Sequence, residues 1–202
     1  MMELYHSPAS PFVRKVMVVL HETDQLSDVA LRASSQTPLR PDPANQNPLG
    51  KVPCLARPDG PALYDSRVIC RYLNDRAGAG LYPQARIWDV LTLEATADGI
   101  MDAAVLMVYE GRVRSEAMQS AEYVDAQWAK ITRALDALEN RWLSHLSGPL
   151  HIGQIAVVCA LGYLDLRHAA RSWREGRPGL TAFDARMAER PSFAATAPAE
   201  NR

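Results

Sequence analysis

Three short stretches of this chain place anion-binding or peptide-pairing groups at the start of a helix or strand. Ser10 stands before Pro11 in the run Ser7-Pro8-Ala9-Ser10-Pro11-Phe12, an N-cap residue followed by proline at the first helical position. The first N–H groups of a helix lack intrahelical partners and, with the macrodipole, favour an anion. A serine hydroxyl there can donate a hydrogen bond to a bound thiolate. Ser7 offers the same group a few residues upstream. Taken alone, an ordinary cap explains Ser10 and a polar strand end explains Ser7. The second stretch is Val52-Pro53, after Asn47-Pro48-Leu49-Gly50-Lys51. A cis bond there would turn the Val52 N–H and C=O outward, where an extended peptide can pair as an added strand. The isomer is not legible in the sequence. The third is Asp65-Ser66, where a carboxylate meets the first N–H groups of a helix. The acid suits an ammonium, and Ser66 with its N–H suits a carboxylate, so the pair can hold an amino-acid head group. As a lone dipeptide it is a helix cap.

The elements that must position these groups follow from periodicity and turn chemistry. Glu3 to His6 alternates and is short, as an opening strand does. A helix is predicted from Pro11 to about His21, with Phe12, Val13, Val16, Met17, Val19 and Leu20 on its apolar side and Arg14 and Lys15 opposite. Val29 to Ala33 is a second strand, joined to the first by a parallel crossover. Ser34 to Pro48 is a polar loop with one helical turn expected near Ala44. Val52 to Ala56 and Ala62 to Tyr64 flank a Pro58-Asp59-Gly60 turn and form a hairpin. Asp65 or Ser66 then caps a helix ending near Arg76, before Gly78.

Ten of the fourteen prolines lie in the first 83 residues, and positions 84 to 148 have none. Long helices are therefore expected after the break, over Arg86 to Gly111, Ala121 to His145 and Gly153 to Ala170. In the second, Ile131, Leu135, Leu138, Trp142 and Leu146 fall on one side. The third is apolar almost all round and should be the central helix of a bundle. A weaker helix covers Leu180 to Glu189, closed by Pro191, with a frayed tail through Arg202. The expected architecture is an α/β domain of βαβ-ββα order over 1–77, a linker at 78–85 and an all-helical domain over 86–202.

Composition bounds the function. The chain has 202 residues, 48% apolar, with 22 basic against 23 acidic side chains. That excludes disorder and collagen and supplies no electrostatic footprint for nucleic acid or an anionic membrane. The longest apolar stretch, Ile152 to Leu164, is too short to span a bilayer. With no secretory signal pattern at the start, an intracellular, cytoplasmic protein is expected. Cys54, Cys70 and Cys159 are widely spaced, and His6, His21, His145, His151 and His168 show no ligand spacing, so neither a disulfide framework nor a metal site is supported.

Taken together, these stretches resemble the soluble glutathione S-transferase family, in its bacterial branch, over nearly the whole chain. The resemblance is carried by SPASPFVRKV, NPLGKVPCL, YDS, RYLND and ADGIMDA. It implies a thioredoxin-like glutathione-binding domain, a cis bond at Pro53, a helical second domain, a homodimer and a role in detoxification. Ser10 matches the family's catalytic serine, with Ser7 as the alternative. Val52 matches the residue whose backbone pairs with the cysteinyl part of glutathione, and Asp65 and Ser66 match those that hold its γ-glutamyl end. Lys51 is a candidate for the glycine carboxylate. Asp98 is a candidate for the ammonium across a dimer interface, against the simpler reading of an exposed or helix-pairing carboxylate. Phe12, Met107 and Tyr109 are candidates to line an apolar cleft for the electrophile, with core packing as the plain alternative. No cofactor is implied beyond glutathione as co-substrate.

The chain departs from the family at His151-Ile152-Gly153-Gln154, where a Ser or Thr with Asp three residues on is usual, so a weakened capping box is expected. The implied reaction is attack of the glutathione thiolate on an electrophilic carbon. A non-catalytic glutathione-binding or protein-interaction module, and a glutathione-dependent reductase or peroxidase, are the alternatives. Absence of cysteine at position 10 argues against a mixed-disulfide mechanism.

Overall fold

The computed structural model describes residues 1–34 and 39–199. Strand β1 (Met2–His6) leads through helix α1 (Pro11–Glu22) to β2 (Val29–Ala33), which pairs parallel with it. Strands β3 (Cys54–Arg57) and β4 (Gly60–Leu63) follow, each antiparallel to its neighbour, giving the order β2-β1-β3-β4. Alternation along the strands splits the sheet into two faces. Leu4 and Leu55 enter the main core, while Tyr5, Cys54 and Ala56 form a smaller cluster on the other side. Helix α2 (Ser66–Ala77) starts at an Asp65 cap and stops at Gly78, whose φ of 60° is the left-handed conformation glycine adopts without a Cβ clash. This is the α/β arrangement expected. The anticipated helical turn near Ala44 is instead a turn in which Asp42 C=O accepts from Asn45 N–H at 3.1 Å. Positions 35–38 of the expected loop lie outside the described residues.

The second part is helical: α3 (Ile87–Val113), α4 (Ala121–Ala137), α5 (Ile152–His168), α6 (Pro178–Ala188) and the short α7 (Pro191–Ala195). The expected helix to His145 leaves α geometry after Ala137, as a wide turn at Leu138–Trp142 and a tight one at Leu143–Leu146. Ile131, Leu135, Leu138 and Leu146 stay buried throughout. Pro191, expected to close a helix, also opens α7 at its first position; positions 200–202 of the expected frayed tail are not described. Helix α5 is buried almost all round, packed on α3 and α1. Among the described residues no helix is long and apolar enough to cross a membrane.

Two expectations are overturned. Lys15 does not face away from the core: its side chain is 0% exposed, and Arg14 reaches the carbonyls of Val158 and Phe193. Helix α1 lies between the sheet and the second domain, so both of its sides are covered. The capping box of α5 is also complete. His151 Nδ1 accepts from Gln154 N–H at 3.4 Å, and Gln154 Oε1 accepts from His151 N–H at 3.0 Å. Imidazole and carboxamide here replace hydroxyl and carboxylate, because a cap needs only an acceptor of the right reach.

Candidate functional site

Sheet register gathers the three stretches at one edge. Tyr5 opposes Cys54, so the end of β1 lies beside the start of β3, and Leu55 opposes Leu63, so the end of β4 lies there too. The chain leaves these three points as Ser7–Ser10, arrives as Lys51–Pro53 and leaves again as Asp65–Ser66.

Each group is held in a definite state. Ser10 caps α1: its Oγ accepts from Val13 N–H at 3.3 Å, which leaves the hydroxyl proton free to donate. The Val52–Pro53 bond is cis, and among the described residues the Val52 N–H and C=O have no hydrogen-bond partner. Lys51 is exposed, with its carbonyl held by the Asn45 and Asn47 amides at 3.0 and 2.9 Å. Asp65 follows a second cis bond, Tyr64–Asp65, and its carboxylate accepts from the backbone and side chain of Arg67, each at 3.0 Å. Burial opposes its ionisation, but these bonds and the charges of Arg67 and Lys15 hold its pKa below the usual range. Ser66 is 2% exposed, and its hydroxyl has no partner among the described residues.

Behind the edge runs an ion network that the sequence did not reveal. Lys15 Nζ lies 3.0 Å from Glu94 and 2.8 Å from Asp98, and Arg67 bridges Asp98 at 3.5 Å to Asp65 at 3.0 Å. Burial pushes the Lys15 pKa down, but the two carboxylates outweigh it and keep the ammonium charged. Asp98 is therefore neither exposed nor paired along its own helix; it is 6% exposed and occupied by Lys15 of the same chain. The only hint in the sequence was Val18, which falls between Arg14 and Lys15 on the otherwise polar side of α1.

A narrow cleft of about 10 Å³ opens at Ser10, lined by Pro8, Ala9, Pro11, Arg14, Cys159, Tyr163 and Pro198. Phe12, Met107 and Tyr109 are not among its lining residues. Phe12 packs half-buried against the core, Met107 is inside it, and Tyr109 is half-buried on α3. Burial pushes the Cys159 thiol up to about 11, so it is protonated at neutral pH. Cys54 is fully buried. Among the described residues no group of three or more His, Cys, Asp or Glu side chains is arranged to hold a metal ion. The edge thus offers a donor to an anion, an unpaired peptide group and a carboxylate–hydroxyl pair for an amino-acid head.

The sequence matches the family models for the glutathione S-transferase N-terminal domain over residues 4–80 and C-terminal domain over residues 121–186. It is 35% identical to the Uncharacterized GST-like protein YibF of Escherichia coli (strain K12), covering 98% of each chain. A crystal structure of a glutathione transferase family member from Pseudomonas fluorescens Pf-5 with bound glutathione is 47% identical, with a TM-score of 0.96, covering 99% of this chain and 100% of that one. A second structure from that organism, with bound S-(propanoic acid)-glutathione, is 46% identical with a TM-score of 0.92, covering 98% and 100%.

Proposed function

This chain belongs to the glutathione S-transferase family, and from that premise we propose that it joins the glutathione thiolate to a small electrophile. The observation that carries the reading is the single edge on which the Ser10 hydroxyl, the unpaired Val52 peptide group and the Asp65–Ser66 pair converge. Glutathione extended along it would pair its cysteinyl backbone with Val52, set its γ-glutamyl ammonium and carboxylate on Asp65 and Ser66, and aim its sulfur at Ser10. Pro53 fixes the turn that presents Val52, and Lys51 is assigned to the glycine carboxylate.

A free thiol has a pKa of about 8.5, and lowering it by about two units takes roughly 2.7 kcal/mol. A hydrogen bond to a charged group contributes about 1.5–3 kcal/mol, and a helix terminus about 0.3–1 kcal/mol. The Ser10 hydroxyl and the first N–H groups of α1 are therefore sufficient in size. On this reading residues 1–77 bind glutathione, 78–85 link, and 86–202 shape the electrophile side of a cytoplasmic homodimer with a detoxifying role.

The test is calorimetric titration with glutathione beside conjugation of a chromogenic aryl halide, for the native chain and Ser10→Ala. Binding with turnover that drops at least tenfold in the variant is expected. Turnover that survives Ser10→Ala moves the role to Ser7. Binding without turnover over a broad electrophile panel leaves a glutathione-binding module instead.

A further inference from the structure

A second cavity, of about 320 Å³, lies between the loop that enters α5 and the C-terminal end of α6. Small-molecule sites occupy about 300–1,000 Å³. It is remote from the edge described above. Arg190, which lines it just beyond α6, pairs with Glu22 at the last residue of α1, whereas Ser10 caps the first turn, about 18 Å away along the helix. No Asp or Glu lines the cavity, and its side chains supply donors. Gln154 is 2% exposed; its Oε1 accepts from His151 N–H at 3.0 Å, and its Nε2 has no acceptor among the described residues. Arg186 donates one hydrogen bond, from Nη2 to Leu146 C=O at 3.1 Å, and packs its guanidinium 5.5 Å from the centre of the Phe183 ring. It has no ion pair among the described residues, even with Glu189 one turn on. Arg190 differs, since Glu22 accepts from its Nε and Nη2 at 3.3 and 2.8 Å. Half-buried Leu150 and buried Met187 complete the wall with apolar surface.

A buried amide that keeps its donors unpaired loses stability unless water or a ligand meets them. Here those donors share a cavity with a cation, so an anion satisfies both. Because Glu22 balances Arg190, one guanidinium charge is left over, and a monovalent anion matches it. The guanidinium fork fits a planar carboxylate with two parallel N–H···O bonds. Opposite the charge, the unbranched thioether of Met187 adapts to apolar bodies of varied shape, aromatic rings included. We propose that this cavity is a binding site for a small monocarboxylate with a compact apolar body. Arg186 and the Gln154 amide receive the carboxylate, and Leu150 and Met187 cover the body. Since Gln154 also closes the capping box of α5, the bound ligand joins α6 to the start of the central helix and stabilises the folded chain. The site is separate from the glutathione edge, and the proposal does not rest on the transferase reading.

Calorimetric titration of the full chain with benzoate, benzamide and inorganic phosphate, each with and without excess glutathione, tests this. Benzoate is expected to bind about tenfold or more tighter than its uncharged amide, the size of one charge-assisted hydrogen bond, and tighter than phosphate. Excess glutathione should leave its affinity unchanged. Arg186→Gln should weaken benzoate about tenfold or more. So should Gln154→Glu, which keeps an oxygen acceptor for the His151 N–H, and with it the cap and the melting temperature, while setting a negative charge in the cavity wall. No heat from benzoate would leave a cavity that holds water alone and overturn the proposal. Parity with benzamide, tighter binding of phosphate, displacement of benzoate by glutathione, or native affinity in either variant would overturn it as well.

Discussion

Lys15 Nζ meets both oxygens of the Asp98 carboxylate, at 2.8 and 3.1 Å, across 83 residues of sequence and out of contact with water. This contact ties the helix that carries Ser10 to the first long helix of the second domain. Glu94 accepts from the same ammonium at 3.0 Å, and Arg67 carries the network out to Asp65. The N-terminal helix α1 and the Asp65 cap of α2 are thus linked by one ion network, buried at Lys15, Glu94 and Asp98 and exposed at Arg67 and Asp65.

Removing only the cation strands two buried carboxylates. Lys15→Met is expected to cost about 3–5 kcal/mol, whereas Lys15→Met with both acids replaced by leucine should cost less, since an apolar set needs no desolvation. Urea unfolding of the single and triple variants checks this. A single-variant loss under about 1 kcal/mol would show that the cluster does not hold α1 in place.

Asp65 caps α2 and, on the proposed function, binds an ammonium, and one substitution separates the two roles. Asparagine caps as well as aspartate, so Asp65→Asn should leave the melting temperature within a few degrees of the native value. Losing a hydrogen bond to a charged partner, about 1.5–3 kcal/mol, should weaken glutathione roughly 10- to 150-fold. Unchanged affinity by calorimetry would remove Asp65 from the binding site.

The cap of α5 should make stability depend on pH. His151 is 1% exposed, its Nε2 pairs with the His145 carbonyl at 3.0 Å, and its Nδ1 must stay unprotonated to accept from Gln154. Burial lowers its pKa below 6.5, outweighing the His145 bond. Below 6.5 the unfolded chain takes up a proton that the folded chain refuses. Stability is therefore full above that pH and falls as pH drops toward the folded pKa. His6 and His168 are lowered by burial as well, so the quantity to measure is native minus His151→Ser. That difference should shrink between about pH 7 and pH 5; a flat difference would contradict the assignment.

Gly153 lies on α5 where it packs tightly against α3. A Cβ there would lie 2.8 Å from Leu93 Cβ and 3.0 Å from the Val90 carbonyl oxygen. Alanine gains up to about 1 kcal/mol in helix propensity, but a backbone oxygen cannot rotate away, and overpacking costs about 1–3 kcal/mol. Gly153→Ala should lower the midpoint of chemical unfolding. A stabilised variant would mean that the two helices separate freely.

Much of this protein is local in origin. The Ser10-Pro11 cap, the Pro58-Asp59-Gly60 turn, the Asp65 cap, the Gly78 stop and the apolar run of α5 all act over a few residues, so their types and spacing decide them, and the elements formed where those signals stand. Tertiary structure decided what lies opposite each surface. Whether Lys15 meets water or Asp98, whether Arg14 points outward or into the cleft, and whether His151 can cap a helix depend on partners distant in sequence or on the reach of one side chain. The common edge of Ser10, Val52 and Asp65 is likewise a property of strand register. Periodicity records that a residue is polar; only the packing of α1 between sheet and helices turned its charged residues into the joint between the two domains.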